Sequence, residues 1–94
     1  MTTTPLDNST QQWLEIEVRL FAAAAQLAGA RSVTVSVPWG SCVPQLMERL
    51  IAQQPQLKAL AEASRWAVDA DFVTDDFMIE QPSIIAMIPP VSGG

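Results

Sequence analysis

Between Val43 and Ile51 the apolar residues Val43, Leu46, Met47, Leu50 and Ile51 recur at i, i+3, i+4, i+7 and i+8. That spacing gives an α-helix one apolar face, which must be buried against something else. The sequence ahead of it supplies the cover. Leu14, Ile16, Val18 and Leu20 alternate with Glu15, Glu17 and Arg19, and Val33, Val35 and Val37 alternate with Ser32, Thr34 and Ser36. A period of two places each apolar set on one face of a strand. The chain of 94 residues, 49% hydrophobic, is long enough for one modest core without disulfides or a structural metal.

The remaining segments complete an order of elements. Ala22 to Ala28 is a short run of helix formers closed by Gly29 at a C′ position. Pro38-Trp39-Gly40 breaks the second strand, Ser41 is the expected cap of the main helix with Pro44 in its first turn, and Pro55 ends it. Leu57 to Ala63 suits another short helical turn. Trp66-Ala67-Val68 and Phe72-Val73 flank Asp69-Ala70-Asp71 as a hairpin, and Ile84 to Ile88 is a last strand. Two strands, a core helix, a hairpin and a final strand predict an α+β β-grasp fold: a mixed sheet with one main core helix and short additional helices. Its first and last strands pair in parallel at the sheet's centre. Burial of a central strand on both faces would explain why Ile84 to Ile88 is continuously apolar. Trp39 and Trp66 are expected in the core or at its edge, and Trp13 against the start of the first strand. The organisation predicted is a disordered polar leader over residues 1–12, a β-grasp domain over 13–88 and a protruding tail over 89–94.

Several functions are disfavoured. A net charge of −5 opposes binding to nucleic-acid phosphates. No apolar run approaches the roughly 20 residues of a membrane span, and the N-terminus lacks the features of a signal peptide. Cys42 is the sole cysteine, so no internal disulfide forms and a cytoplasmic setting is expected. Without histidine there is no triad and no His-bearing metal site. Asp69, Asp71, Asp75 and Asp76 lack the glycine and terminal glutamate of a calcium loop and suit a solvated hairpin. No metal and no permanently bound cofactor are expected, and the chain alone is poorly equipped for catalysis.

The chain ends Pro89-Pro90-Val91-Ser92-Gly93-Gly94. At ordinary glycine usage of roughly 7%, a terminal Gly-Gly pair arises by chance about once in 200 chains, and two nearby prolines make it rarer still. Prolines favour an extended rod, and glycines lack the Cβ that would obstruct a narrow channel. Six residues at roughly 3.3 Å each reach about 20 Å. Such a stalk can deliver the Gly94 carboxylate into another protein's pocket.

These segments, from Ile16-Glu17-Val18-Arg19-Leu20-Phe21-Ala22-Ala23 and Leu27-Ala28-Gly29 through the helix Val43 to Ile51 and Ala67-Val68-Asp69 to Ile85-Ala86-Met87-Ile88 and the Pro-Pro-Val-Ser-Gly-Gly ending, are similar to those of the small, sulfur-carrier subunits of molybdopterin synthase. These are ubiquitin-like β-grasp proteins. The sequence departs from the family pattern at Gln81-Pro82-Ser83, at Ile84, where an acidic residue is common, and at Asp69-Ala70. The resemblance implies that an adenylating, E1-like activating enzyme uses ATP to convert Gly94 to an acyl-adenylate. A sulfur donor protein then leaves a thiocarboxylate there. The tail next enters the large catalytic subunit, where two deliveries of sulfur build the molybdopterin dithiolene from cyclic pyranopterin monophosphate. Pro89, Pro90, Val91, Ser92 and Gly93 would provide access, and Phe21, Phe72 and Ile88 would contact partners. Two carriers around a dimeric large subunit, a heterotetramer, is the arrangement implied. Residue phase agrees for Phe21, since Leu20 points inward and the next side chain therefore outward. Three alternatives stay open: a sulfur carrier in a thiamine, cysteine or other thio-metabolite pathway, a ubiquitin-like modifier joined to lysines through Gly94, or a plain interaction module.

Overall fold

The computed structural model describes residues 12–90. All of the expected leader except Gln12, and Val91, Ser92, Gly93 and Gly94 of the tail, lie outside the described residues. Strand β1 (Trp13–Leu20) leads into helix α1 (Ala22–Ala28), followed by β2 (Ser32–Pro38), β3 (Ser41–Cys42) and the main helix α2 (Val43–Gln53). A 3₁₀ turn (Pro55–Leu57) and helix α3 (Lys58–Ala63) precede β4 (Arg65–Val68), β5 (Asp71–Val73), β6 (Met78–Ile79) and β7 (Ser83–Ile88). The main sheet has the order β2-β1-β7-β4-β5. Among the described residues only β1 and β7 run parallel, with Ile16 beside Ser83, Val18 beside Ile85 and Leu20 beside Met87. This is the β-grasp arrangement expected.

The core lies between one sheet face and α2. Leu14, Ile16, Val18, Leu20, Val35, Val37, Trp66, Ile85 and Met87 are buried with Val43, Leu46 and Leu50 of the helix. Met47 and Ile51 pack partly buried at the border. Alternation along β1 holds from Trp13 to Leu20, every second side chain being buried.

Three local expectations need correction. Cys42, not Ser41, is the N-cap of α2, and its backbone N–H donates to the side-chain carbonyl of Gln45. Ser41 is instead buried, its Oγ donating to the Pro38 carbonyl at 2.7 Å and closing the turn that leaves β2. Trp39 is 48% exposed rather than core, whereas Trp66 is buried as expected. Trp13 begins β1 and is exposed, with the Arg49 guanidinium 4.7 Å from its ring centroid. Gln12, expected in the leader, lies just before β1, and its carbonyl accepts from Trp39 N–H at 2.7 Å. A two-stranded ribbon of β3 and β6 was not foreseen.

The β4–β5 hairpin forms without the usual turn residues. Asp69 and Ala70 both adopt left-handed backbones, φ 52° and 71°, as a two-residue hairpin of the favoured twist requires. Ala70 bears a steric cost there of roughly 1–2 kcal/mol, larger than the few tenths to 1 kcal/mol of added unfolded-chain entropy that glycine brings. Ala70→Gly should therefore stabilise the domain by about 0.5–1 kcal/mol. A urea unfolding midpoint below that of the parent chain would contradict this.

Candidate functional site: the outer face of β7 and the base of the tail

Strand β7 is central in the sheet but is not buried on both faces. Ile85 and Met87 point into the core, while Ile84 is 48% exposed and Ala86 and Ile88 are partly exposed on the opposite face. The expectation that burial on both sides explains the unbroken apolar run is thus corrected: the outward row is itself apolar. Register extends the row sideways. Ala67 pairs with Ala86 and Arg65 with Ile88 across β4, and Phe72 pairs with Ala67 across β5. Phe72 is exposed at 52%.

Phe21 joins this patch from β1. Its backbone is extended, φ −130° and ψ 153°, at the N-cap of α1, and Ala22 then turns left-handed at φ 51°. The chain so enters the helix while the Phe21 side chain stays 48% exposed. At the other end of α1, Gly29 takes the left-handed position, φ 70°, and its N–H donates to the Ala25 carbonyl at 2.9 Å. That geometry favours glycine.

Phe21, Phe72, Ile84, Ala86 and Ile88 line one shallow depression of about 390 Å³. All three residues that sequence reasoning proposed as partner contacts, Phe21, Phe72 and Ile88, are brought together there. Pro89 and Pro90 follow Ile88 directly, so the tail leaves the sheet from the border of the patch. Sequence reasoning missed Arg65, Ala67, Ile84 and Ala86. The signal for Ile84 was its departure from the acidic residue common in the family. Arg65 became visible only through its pairing opposite Ile88. The Arg65 guanidinium lies 3.8 Å from the Phe72 ring centroid, a cation–π contact worth about 0.5–1 kcal/mol at an exposed site. It restrains an aromatic side chain that is half exposed.

The patch has the features of a docking anchor: exposed aromatic and branched side chains grouped on a rigid sheet. Among the described residues no group of three or more His, Cys, Asp or Glu side chains is placed to hold a metal ion. Cys42 lies at the start of α2, away from this depression, whose lining does not include it. No helix of the described residues is long and apolar enough to cross a membrane.

A ThiS family profile matches residues 18–94. The molybdopterin synthase sulfur carrier subunit of Homo sapiens is 36% identical over 83 residues, covering 85% of this chain and 94% of the relative. That of Arabidopsis thaliana is 30% identical over 91 residues, covering 97% and 95%. The crystal structure of SAMP1 from Haloferax volcanii, a small archaeal modifier protein, superposes with a TM-score of 0.76 at 25% identity, covering 85% of this chain and 99% of that one.

The two faces of β7 make different demands on stability. Ile85→Ala should cost about 2–5 kcal/mol through the core cavity it opens, and Ile84→Ala less than about 1 kcal/mol. Denaturant unfolding of the two variants checks this, and equal losses would show that the outer row is part of the core.

Proposed function

This chain belongs to the ThiS family, and we propose that it is the sulfur carrier subunit of a molybdopterin synthase, acting through a thiocarboxylate at Gly94. The carrying observation is that the exposed Phe21–Phe72–Ile84 patch ends at Ile88, where the Pro-Pro-Val-Ser-Gly-Gly tail begins. One partner can therefore grip the domain and receive the tail in a single docking event. Relatives bearing the molybdopterin synthase name at 36% and 30% identity favour this pathway over thiamine or cysteine synthesis.

The chemistry follows from the carboxylate. A free carboxylate is a poor acyl donor, because its oxide leaves badly and its charge repels nucleophiles. Attack of the Gly94 carboxylate on ATP, held by an E1-like activating enzyme, releases pyrophosphate and leaves an acyl-adenylate. Sulfide (HS⁻), released by a donor protein, then attacks the acyl carbon; the C–O bond to AMP breaks, AMP leaves, and the thiocarboxylate remains. The chain binds no cofactor of its own in this scheme. It delivers sulfur in the cytoplasm to cyclic pyranopterin monophosphate held by the large catalytic subunit. Gly93 and Gly94 give access to a narrow channel, and Pro89, Pro90, Val91 and Ser92 keep the stalk extended.

A second reading draws support from the likeness to SAMP1: conjugation of Gly94 to lysine amines through the same adenylate. Conjugates that appear on immunoblots and vanish when Gly94 is deleted would favour it.

Two outcomes test the main reading. Phe21→Glu should weaken binding to the large subunit by about 2–4 kcal/mol, because an unpaired charge enters an apolar contact, with circular dichroism unchanged. Gly94→Ala, or one residue added after Gly94, should abolish sulfur transfer without affecting the fold, whereas Cys42→Ser should transfer normally. A folded Cys42→Ser variant that cannot accept sulfur would show that the terminus is not the sole carrier.

A further inference from the structure

The charge of this chain is divided unevenly. Residues 1–65 hold five Lys or Arg and five Asp or Glu; residues 66–94 hold Asp69, Asp71, Asp75, Asp76 and Glu80 and no cation. The whole net charge of −5 therefore lies in the last third. Three of those carboxylates, Asp69, Asp71 and Glu80, rim a groove of about 760 Å³ whose walls include Trp39, Phe77 and Met78. None of the three makes an ion pair among the described residues, where the pairs are Arg19–Glu17 and Lys58–Glu62. No Lys or Arg lines the groove. Trp39 and Met78 are large apolar side chains left 48% and 47% exposed in it.

The groove is not the docking patch. It reaches β7 at Ser83, where the strand begins, whereas the patch runs along the outward side chains Ile84, Ala86 and Ile88 and the tail leaves where β7 ends, at Ile88. Five residue steps of roughly 3.3 Å put about 17 Å between Ser83 and the base of the tail. Only Asp69, at the β4–β5 turn, borders both. The sequence also marks this corner: Trp39 belongs in a core by size, yet the Pro38–Ser41 turn holds it outside.

We propose that this groove is a second docking surface, for a basic, apolar-faced segment of a partner protein. Exposed Trp39 supplies an aromatic face for a guanidinium or ammonium, Met78 an adaptable apolar contact, and the three carboxylates the complementary charge. Other occupants lack these features. The carboxylates do not converge as a cation site among the described residues, and both anionic membranes and nucleic acids are repelled by an all-acidic rim. Because the groove is remote from Ile88, a partner seated there leaves the base of the tail free for another protein. The proposal stands independently of the chemistry assigned to Gly94.

The test uses the full chain, labelled with ¹⁵N and with ¹³C on methionine methyls, and a blocked hexapeptide of alternating arginine and leucine. A glutamate–leucine hexapeptide serves as control. The arginine peptide should shift the Trp39 indole and Met78 methyl resonances saturably and leave Phe21 and Phe72 in place. Trp39→Ala should weaken it about tenfold, and Asp71→Asn combined with Glu80→Gln should do so independently of any change at Trp39. Shifts centred on Phe21 and Phe72, equal binding of the glutamate peptide, affinity unchanged in folded Trp39→Ala, or no saturable shift would each overturn the proposal.

Discussion

The parallel pairing of β1 with β7 is the constraint on which the rest depends. It places the last strand of the domain at the middle of the sheet, flanked by β1 and β4, so its backbone is hydrogen-bonded on both sides. The inward half of each strand meets α2: Ile16, Val18 and Leu20 on one, Ile85 and Met87 on the other. Hydrophobic burial of this kind anchors the strand from which the tail leaves. A stalk mounted on a fraying edge strand would lose the same reach to disorder at its base.

The two faces of β7 then divide the work. Ile85 and Met87 stabilise the fold, and Ile84, Ala86 and Ile88 present an apolar surface beside the tail. An exposed apolar patch is an aggregation hazard for a small protein. The concentration of negative charge in residues 66–94 opposes self-association through mutual repulsion. Arg65 over Phe72 limits the freedom of one of the patch's two projecting rings and so reduces the ordering cost of docking.

Much of this was legible in the chain. The i, i+3, i+4 spacing of Val43, Leu46, Met47 and Leu50 marked the one helix that covers the sheet, and alternation from Leu14 to Leu20 marked its partner strand. The hairpin was readable from Asp69-Ala70 between two apolar segments, even though alanine is a poor residue for a left-handed turn. What was not legible has specific causes. The β3–β6 ribbon is two residues on each side, too short to show any period. The cap of α2 moved from Ser41 to Cys42 because Ser41 makes a better bond to Pro38 within the preceding turn. Trp39 could not be placed from its identity, which sets size but not direction. An unbroken apolar run is the same string of letters whether its second face is buried by a helix or kept for a partner. Only the exposure of Ile84 separates those cases. For the candidate site, Phe21, Phe72 and Ile88 were proposed from the family resemblance, with residue phase supporting Phe21 alone; Arg65 depended on a register that no local pattern encodes.

The claim that Gly94 carries the sulfur is tested most directly by intact mass. The full chain is incubated with ATP, its cognate activating enzyme and a sulfide source, then weighed and fragmented. Replacement of one oxygen by sulfur, mapped to the Gly94 terminus, is the expected result. An unchanged mass beside a demonstrably active activating enzyme, or sulfur mapped to Cys42, would contradict it.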